Sequence, residues 1–187
     1  MSYLFNLGEH SRPITLSNVK AQPWFDRGLA WVYGFNHEEA VNCFEEAVRI
    51  DPASAMAYWG IALASGPFYN LPWMLMNETE TRWSIESGYT AVHKALTLSS
   101  VGTAVEGALI HALSRRFQSD QLVAIEILHG WDDAYADAMR KVHKKFPTDL
   151  DVIAFFAEAM MTRTPWKLWD IHSGQPVDGA DTLESIA

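Results

Sequence analysis

Seven residues between positions 24 and 52 constrain this chain more than any other feature. They are Trp24, Gly28, Trp31, Ala40, Phe44, Ala47 and Pro52, spaced W-x3-G-x2-W and then A-x3-F-x2-A-x4-P. The spacing predicts two antiparallel helices that cross closely. Gly28 and Ala40 are small where the backbones should approach. Trp24, Trp31 and Phe44 are large enough to fill the space around that crossing. Pro52 cannot sit inside a helix, so it marks the end of the pair.

Helix signals continue along the chain. The first helix is expected from about Ser17 or Gln22 to Tyr33, with Gly34 ending it in the left-handed conformation that glycine adopts easily. Asn36 with Glu39 forms a capping-box pattern for a second helix, which should bury Val41, Phe44, Ala47, Val48 and Ile50. Asp51-Pro52 reads as cap and first position of a third helix over about 52–65. Its Tyr58, Ile61 and Ala62 repeat the spacing of Trp24, Arg27 and Gly28 at a period of about 34 residues. Gly66-Pro67 stops it, and the partner helix is delayed to about 79–98 by an aromatic, proline-containing loop. Thr103 with Glu106 opens a helix to about Phe117. The stretch 120–129 reads as helix or strand, and we take it as helix. Asp132 to Lys145 is amphipathic, and Thr148 with Asp151 caps a helix to about Thr162. Residues 165–179 read as an extended, turn-rich connection before a last helix at Asp181.

The expected fold is therefore all-α: a solenoid of antiparallel helix pairs, about seven to eight helices in all. Residues 1–17 form an irregular leader. Residues 18–187 form the repeat domain: a first repeat over about 20–53, an interrupted second over about 54–99, and degenerate repeats over about 100–187. The chain stops three residues after Glu184, without the polar closing helix that a solenoid normally carries. That predicts a truncated piece of a longer protein, or self-association through an uncapped end.

The helix-pair signature is that of a tetratricopeptide repeat (TPR). The run FDRGLAWVYGFNHEEAVNCFEEAVRIDPASAMAYWGIALASGPFYN, from Phe25 to Asn70, resembles the N-terminal part of a poorly characterised family of bacterial and fungal TPR-domain proteins. The phrases Tyr135-Ala-Asp-Ala-Met139, Phe146-Pro-Thr-Asp149 and Pro165-Trp-Lys-Leu-Trp169-Asp170 fit the same family. The likeness covers about residues 22–175. It implies an all-α repeat scaffold and transfers no catalytic residue.

Composition narrows the function classes. The chain has 23 acidic and 14 basic residues, a net charge of −9, and no run of Lys or Arg longer than two. Phosphate neutralisation, and with it nucleic-acid binding, is not expected. Nor is a hold on anionic lipid. No apolar run is long enough to span a bilayer. The N-terminus lacks a basic segment followed by an apolar one, so we expect no secretory signal and a cytoplasmic location. The single cysteine, Cys43, lies in a helix beside Phe44 and reads as a small buried residue. No H-x3-H, H-E-x2-H, C-x2-C, G-x-S-x-G or glycine-rich phosphate loop occurs, so no catalytic residue, metal or cofactor is assigned. His129 with Asp132 and Asp133 is too sparse for a metal site. Glu38-Glu39 and Glu45-Glu46 read as solvated helix charge.

Eight Trp and nine Phe remain to be explained. They are either wedges between helices or the lining of a groove. In a stacked-pair scaffold, Phe25, Leu29 and Val32 of the first helix and Trp59 and Leu63 of the third should share one concave face. Such a lining suits an apolar ligand or an amphipathic partner helix, not a peptide carboxylate. Tyr69, Asn70 and Trp73 sit on the interrupting loop, and insertions in repeats often face the ligand. The leading expectation is a non-catalytic protein–protein scaffold that binds a protein or peptide through these eight residues. The alternative is a small-molecule or cofactor pocket near loop 66–73, with or without enzymatic activity, with His37, Trp166 and Trp169. The groove could equally be filled by the insert or by a later helix.

Overall fold

The computed structural model describes residues 3–186; positions 1, 2 and 187 of the expected leader and repeat domain lie outside the described residues. Eight α-helices carry the fold among them: α1 (Gln22–Tyr33), α2 (His37–Ile50), α3 (Ala55–Ser65), α4 (Glu78–Leu98), α5 (Ala104–Leu113), α6 (Ile125–Lys145), α7 (Leu150–Thr162) and the short α8 (Thr182–Ser185). The only sheet among the described residues is a two-stranded antiparallel hairpin, β1 (Trp169–Asp170) with β2 (Gln175–Pro176), inside the connection read as extended. The all-α class therefore holds.

Each helix packs on its neighbour: α1 on α2, α2 on α3, α3 on α4, α4 on α5, α5 on α6 and α6 on α7. In addition α1 meets α3, and α3 meets α5. The crossings work as the sequence demands. A Cβ added at Gly28 would lie 2.6 Å from the Phe44 ring, and one at Gly60 would lie 2.5 Å from it. One phenylalanine thus wedges between α1 and α3 where both lack a side chain. The device recurs at Gly88, where a Cβ would meet Phe117 at 2.2 Å.

Several boundaries differ from expectation. Gly34 does not take the left-handed cap; Phe35 does, at φ 59°. The Phe35 N–H donates to the Val32 carbonyl and the Asn36 N–H to the Trp31 carbonyl, so the αL residue closes a Schellman turn. Asp51 closes α2 rather than opening α3, and its Oδ2 accepts from the backbone N–H groups of Ser17 and Asn18. Ser54 caps α3 instead. Asp149, not Thr148, caps α7. The ambiguous stretch contributes residues 125–129 to the start of α6, because Leu128, Trp131, Tyr135, Met139 and Val142 form one buried stripe. Gly130 interrupts the sequence pattern there without interrupting the helix. The Thr103–Glu106 capping box forms as expected, and Asn77 with Glu80 forms another.

The leader is irregular but anchored. Arg12 is buried and donates to Asp149 Oδ1 at 2.8 Å and Asp151 Oδ2 at 2.8 Å, at the start of α7. Thr15 donates twice to Glu106 of α5, and the Trp31 indole donates to Tyr3 Oη. The first segment of chain therefore ties α1, α2, α5 and α7 together. Cys43 is buried, and burial pushes its thiol pKa up.

Candidate functional site

Phe155 of α7 packs onto the face expected to be a groove. Phe155 stacks on Tyr33 at 5.7 Å and meets Trp59 edge-on at 5.3 Å. Phe25 and Leu29 have no exposed surface and Trp59 has 1%, so these three predicted contact residues belong to the core. Val32 and Leu63 are also buried, but they reach the floor of a cavity that α7 leaves open at one end.

That cavity, about 360 Å³, lies between the α1–α2 turn, the loop after α3, and α7. It falls in the range of about 300–1,000 Å³ typical of small-molecule pockets. Six of its fourteen lining residues carry aromatic rings: Tyr33, Phe35, His37, Phe68, Tyr69 and Phe155. Three local features hold these rings. The αL turn projects Phe35, which stacks against Phe68 at 6.3 Å. The segment Phe68–Leu71 closes on itself through two backbone hydrogen bonds. Tyr69 Oη accepts from the Trp166 N–H at 3.1 Å, and Trp166 is the other non-glycine residue with positive φ. Left-handed backbone at a large residue costs about 1–3 kcal/mol and concentrates at functional sites. Of the two instances among the described residues, Phe35 lines this pocket and Trp166 packs against its wall residue Tyr69.

Three polar side chains reach the same cavity. His37 stacks on Phe68 at 3.8 Å, with Nδ1 3.3 Å from the Ala64 carbonyl oxygen. Burial pushes its pKa down to about 4, so the ring is neutral at pH 7. Arg116 follows α5 and is 1% exposed. Its Nη1 donates to the Pro67 carbonyl at 3.1 Å, and its guanidinium lies 4.1 Å from the Tyr135 ring centre. Its Nε is 3.1 Å from Asp132 Oδ1, close enough for an ion pair but without hydrogen-bond geometry, and Nη2 makes no hydrogen bond. Burial alone would lower the Arg116 pKa, but the charges of Asp132 and Glu158 outweigh it and hold the group ionised. The third side chain, Glu158, accepts from the Thr162 hydroxyl at 2.6 Å.

Of the predicted site residues, Val32, Leu63 and Tyr69 thus come together at the pocket, joined by His37. Asn70 is exposed at the loop tip. Trp73 is buried elsewhere, in a smaller cavity of about 190 Å³ with His129, Asp132, Asp133 and Arg163. Burial there pushes the Asp132 pKa up to about 7, against the lowering effect of Arg116. Trp166 flanks the pocket, while Trp169 is exposed on β1. Sequence reasoning missed Arg116, Phe155 and Glu158. The one available signal was a charged pair, Arg115-Arg116, directly after an apolar helix, with nothing to say which of the two turns inward.

A larger open cleft of about 610 Å³ lies between α5 and α6, floored by Ala108, Ala112, Ala134 and Ala138. None of its polar lining residues is buried. Among the described residues no group of three or more His, Cys, Asp or Glu could hold a metal ion, and no helix is long and apolar enough to cross a membrane. Comparison with known proteins adds no name: no family model, no curated protein and no solved structure matches the chain.

Proposed function

We propose that the chain is a non-catalytic binding module on a TPR-like scaffold, and that it holds a small apolar molecule in the pocket between the α1–α2 turn, loop 66–71 and α7. The scaffold part is supported by the pairing of α1 with α2 and α3 with α4, by the contacts of α1 with α3 and α3 with α5, and by Phe44 set between Gly28 and Gly60. The stacked-pair solenoid, the likeness to the TPR-domain family and a cytoplasmic location belong to this proposal.

One observation carries the ligand part. Six of the fourteen residues lining the cavity carry aromatic rings, and one of them, Phe35, sits on strained left-handed backbone. Apolar clefts with a few convergent polar groups are where small molecules bind. No serine, threonine or cysteine lines it, so it holds no hydroxyl or thiol nucleophile of the Ser–His or Cys–His kind.

The uncharged dye Nile red tests the reading. Wild type should bind it saturably, one to one, with a blue-shifted emission. Ala154→Trp, at the pocket wall, should abolish binding without lowering the melting temperature. Equal binding by a folded Ala154→Trp protein, or no saturable binding by wild type, contradicts the proposal.

A second reading keeps a protein partner. The α5–α6 cleft has an alanine floor and an edge of Arg115, Lys141 and Lys145, on a chain of net charge −9. That pattern suits an acidic amphipathic helix. Lys141→Glu with Lys145→Glu should then abolish binding of such a helix and leave Nile red binding unchanged.

A further inference from the structure

The geometry points to a ligand class: the pocket takes an uncharged aromatic molecule carrying an amide-like group, its carbonyl oxygen accepting from Arg116 Nη2 and its N–H donating to Glu158. This rests on the small-molecule reading above and says which small molecule.

The body of the ligand follows from the walls. Tyr33, Phe35, Phe68, Tyr69 and Phe155 present flat, weakly polar surfaces, against which an aromatic ring packs in stacked or edge-on geometry. The head follows from the hydrogen-bond inventory. A guanidinium has five N–H donors and no acceptor. In Arg116, Nη1 is used by the Pro67 carbonyl and Nε faces Asp132, whereas Nη2 has no partner in a side chain 1% exposed. Buried donors are nearly always satisfied, so an unpaired one in a residue that lines the cavity marks a place for an acceptor. Glu158 supplies the complement. Its Oε1 takes the Thr162 hydroxyl, and among the described residues its Oε2 accepts no hydrogen bond.

Charge decides between an ion and a neutral group. Arg116 and Glu158 carry opposite charges and line one cavity. A ligand carboxylate would meet Glu158 in an apolar setting, and a ligand ammonium would meet Arg116. Like charges at such range are costly where water is excluded. A carbonyl beside an N–H answers both groups with no net charge.

The test uses the full-length wild-type chain and four probes competing with Nile red. Benzanilide and trans-stilbene share one shape, but only benzanilide has the amide. The anion is 4-biphenylcarboxylate and the cation is 4-phenylbenzylammonium. Benzanilide should bind at least about tenfold more tightly than stilbene, as expected where a site's buried polar groups would otherwise stay unpaired, and more tightly than either ion. In Glu158→Leu, with its melting temperature measured to check the fold, the benzanilide advantage should shrink severalfold. Equal binding of benzanilide and stilbene overturns the inference, as does tighter binding of either ion. Those results leave the small-molecule reading standing, because Nile red still binds. Failure of Nile red and of all four probes removes both.

Discussion

Phe35 shows what a single residue contributes here. It occupies the left-handed position that glycine usually fills, and it forms part of the pocket wall. Phe35→Gly should therefore stabilise the fold by about 1 kcal/mol, because the αL penalty disappears. The same change should weaken Nile red binding, because a ring is lost from the wall. Denaturant unfolding and dye titration on one sample check both halves; a variant less stable than wild type contradicts the strain assignment. Gly60 carries the opposite kind of constraint. Gly60→Ala would place a methyl group 2.5 Å from the Phe44 ring, so it should cost about 1–3 kcal/mol as overpacking. His37 sets a pH dependence. Its folded pKa is about 4 and its unfolded pKa about 6.5, so the unfolded chain binds a proton first as pH falls. The His37 contribution is intact above about pH 6.5 and is lost towards pH 4, with a slope of at most about 1.4 kcal/mol per pH unit. Asp132 works the other way, since a carboxyl raised to about 7 favours folding as pH falls below that value. The difference between wild type and His37→Gln isolates the histidine: wild type should lose stability faster between pH 6.5 and 4.5. Parallel curves would contradict it.

At the scale of elements, the leader and α7 decide the site. Arg12 joins the leader to the first turn of α7 through Asp149 and Asp151, and Tyr33 of α1 donates to the same Asp151 at 2.5 Å. Arg12→Ala would leave the buried Asp151 and the half-buried Asp149 without their cation and should cost about 3 kcal/mol. It should also loosen α7 over the pocket, raising amide exchange in Leu150–Thr162 more than in α3. Uniform exchange along the chain would contradict that linkage. These ties explain what could be read in advance. Helices α1 to α5 were legible because local chemistry fixes them: Asn36 as a cap, Gly66-Pro67 as a stop, Thr103 with Glu106 as a capping box. Asp51 was misplaced because its partners, Ser17 and Asn18, come from the leader. Phe25, Leu29, Val32, Trp59 and Leu63, expected to line a groove, are all buried. Which part of it stays open depends on where Phe155 lands, some 120 positions from Tyr33, and no local pattern encodes that. Arg116 escaped notice for the same reason. Its partners Pro67, Asp132 and Tyr135 come from two other elements.

For the whole molecule, the account makes one architecture serve two ends. Close crossings at Gly28, Gly60 and Gly88 pack the helices tightly. The interruption after α3 and the packing of α7 then leave one ring-walled cavity with a buried guanidinium at its edge. Tight packing and a preformed pocket are compatible because the cavity lies beside the loop that joins α3 to α4. The most direct measurement is a map of backbone amide shifts across the whole chain on titration with benzanilide. Saturable shifts should be confined to the pocket lining, whose residues lie far apart in sequence: 32–37, 63–69, Arg116, 154–161 and Leu168. Shifts centred on the α5–α6 cleft, or no saturable shift at all, would contradict that expectation.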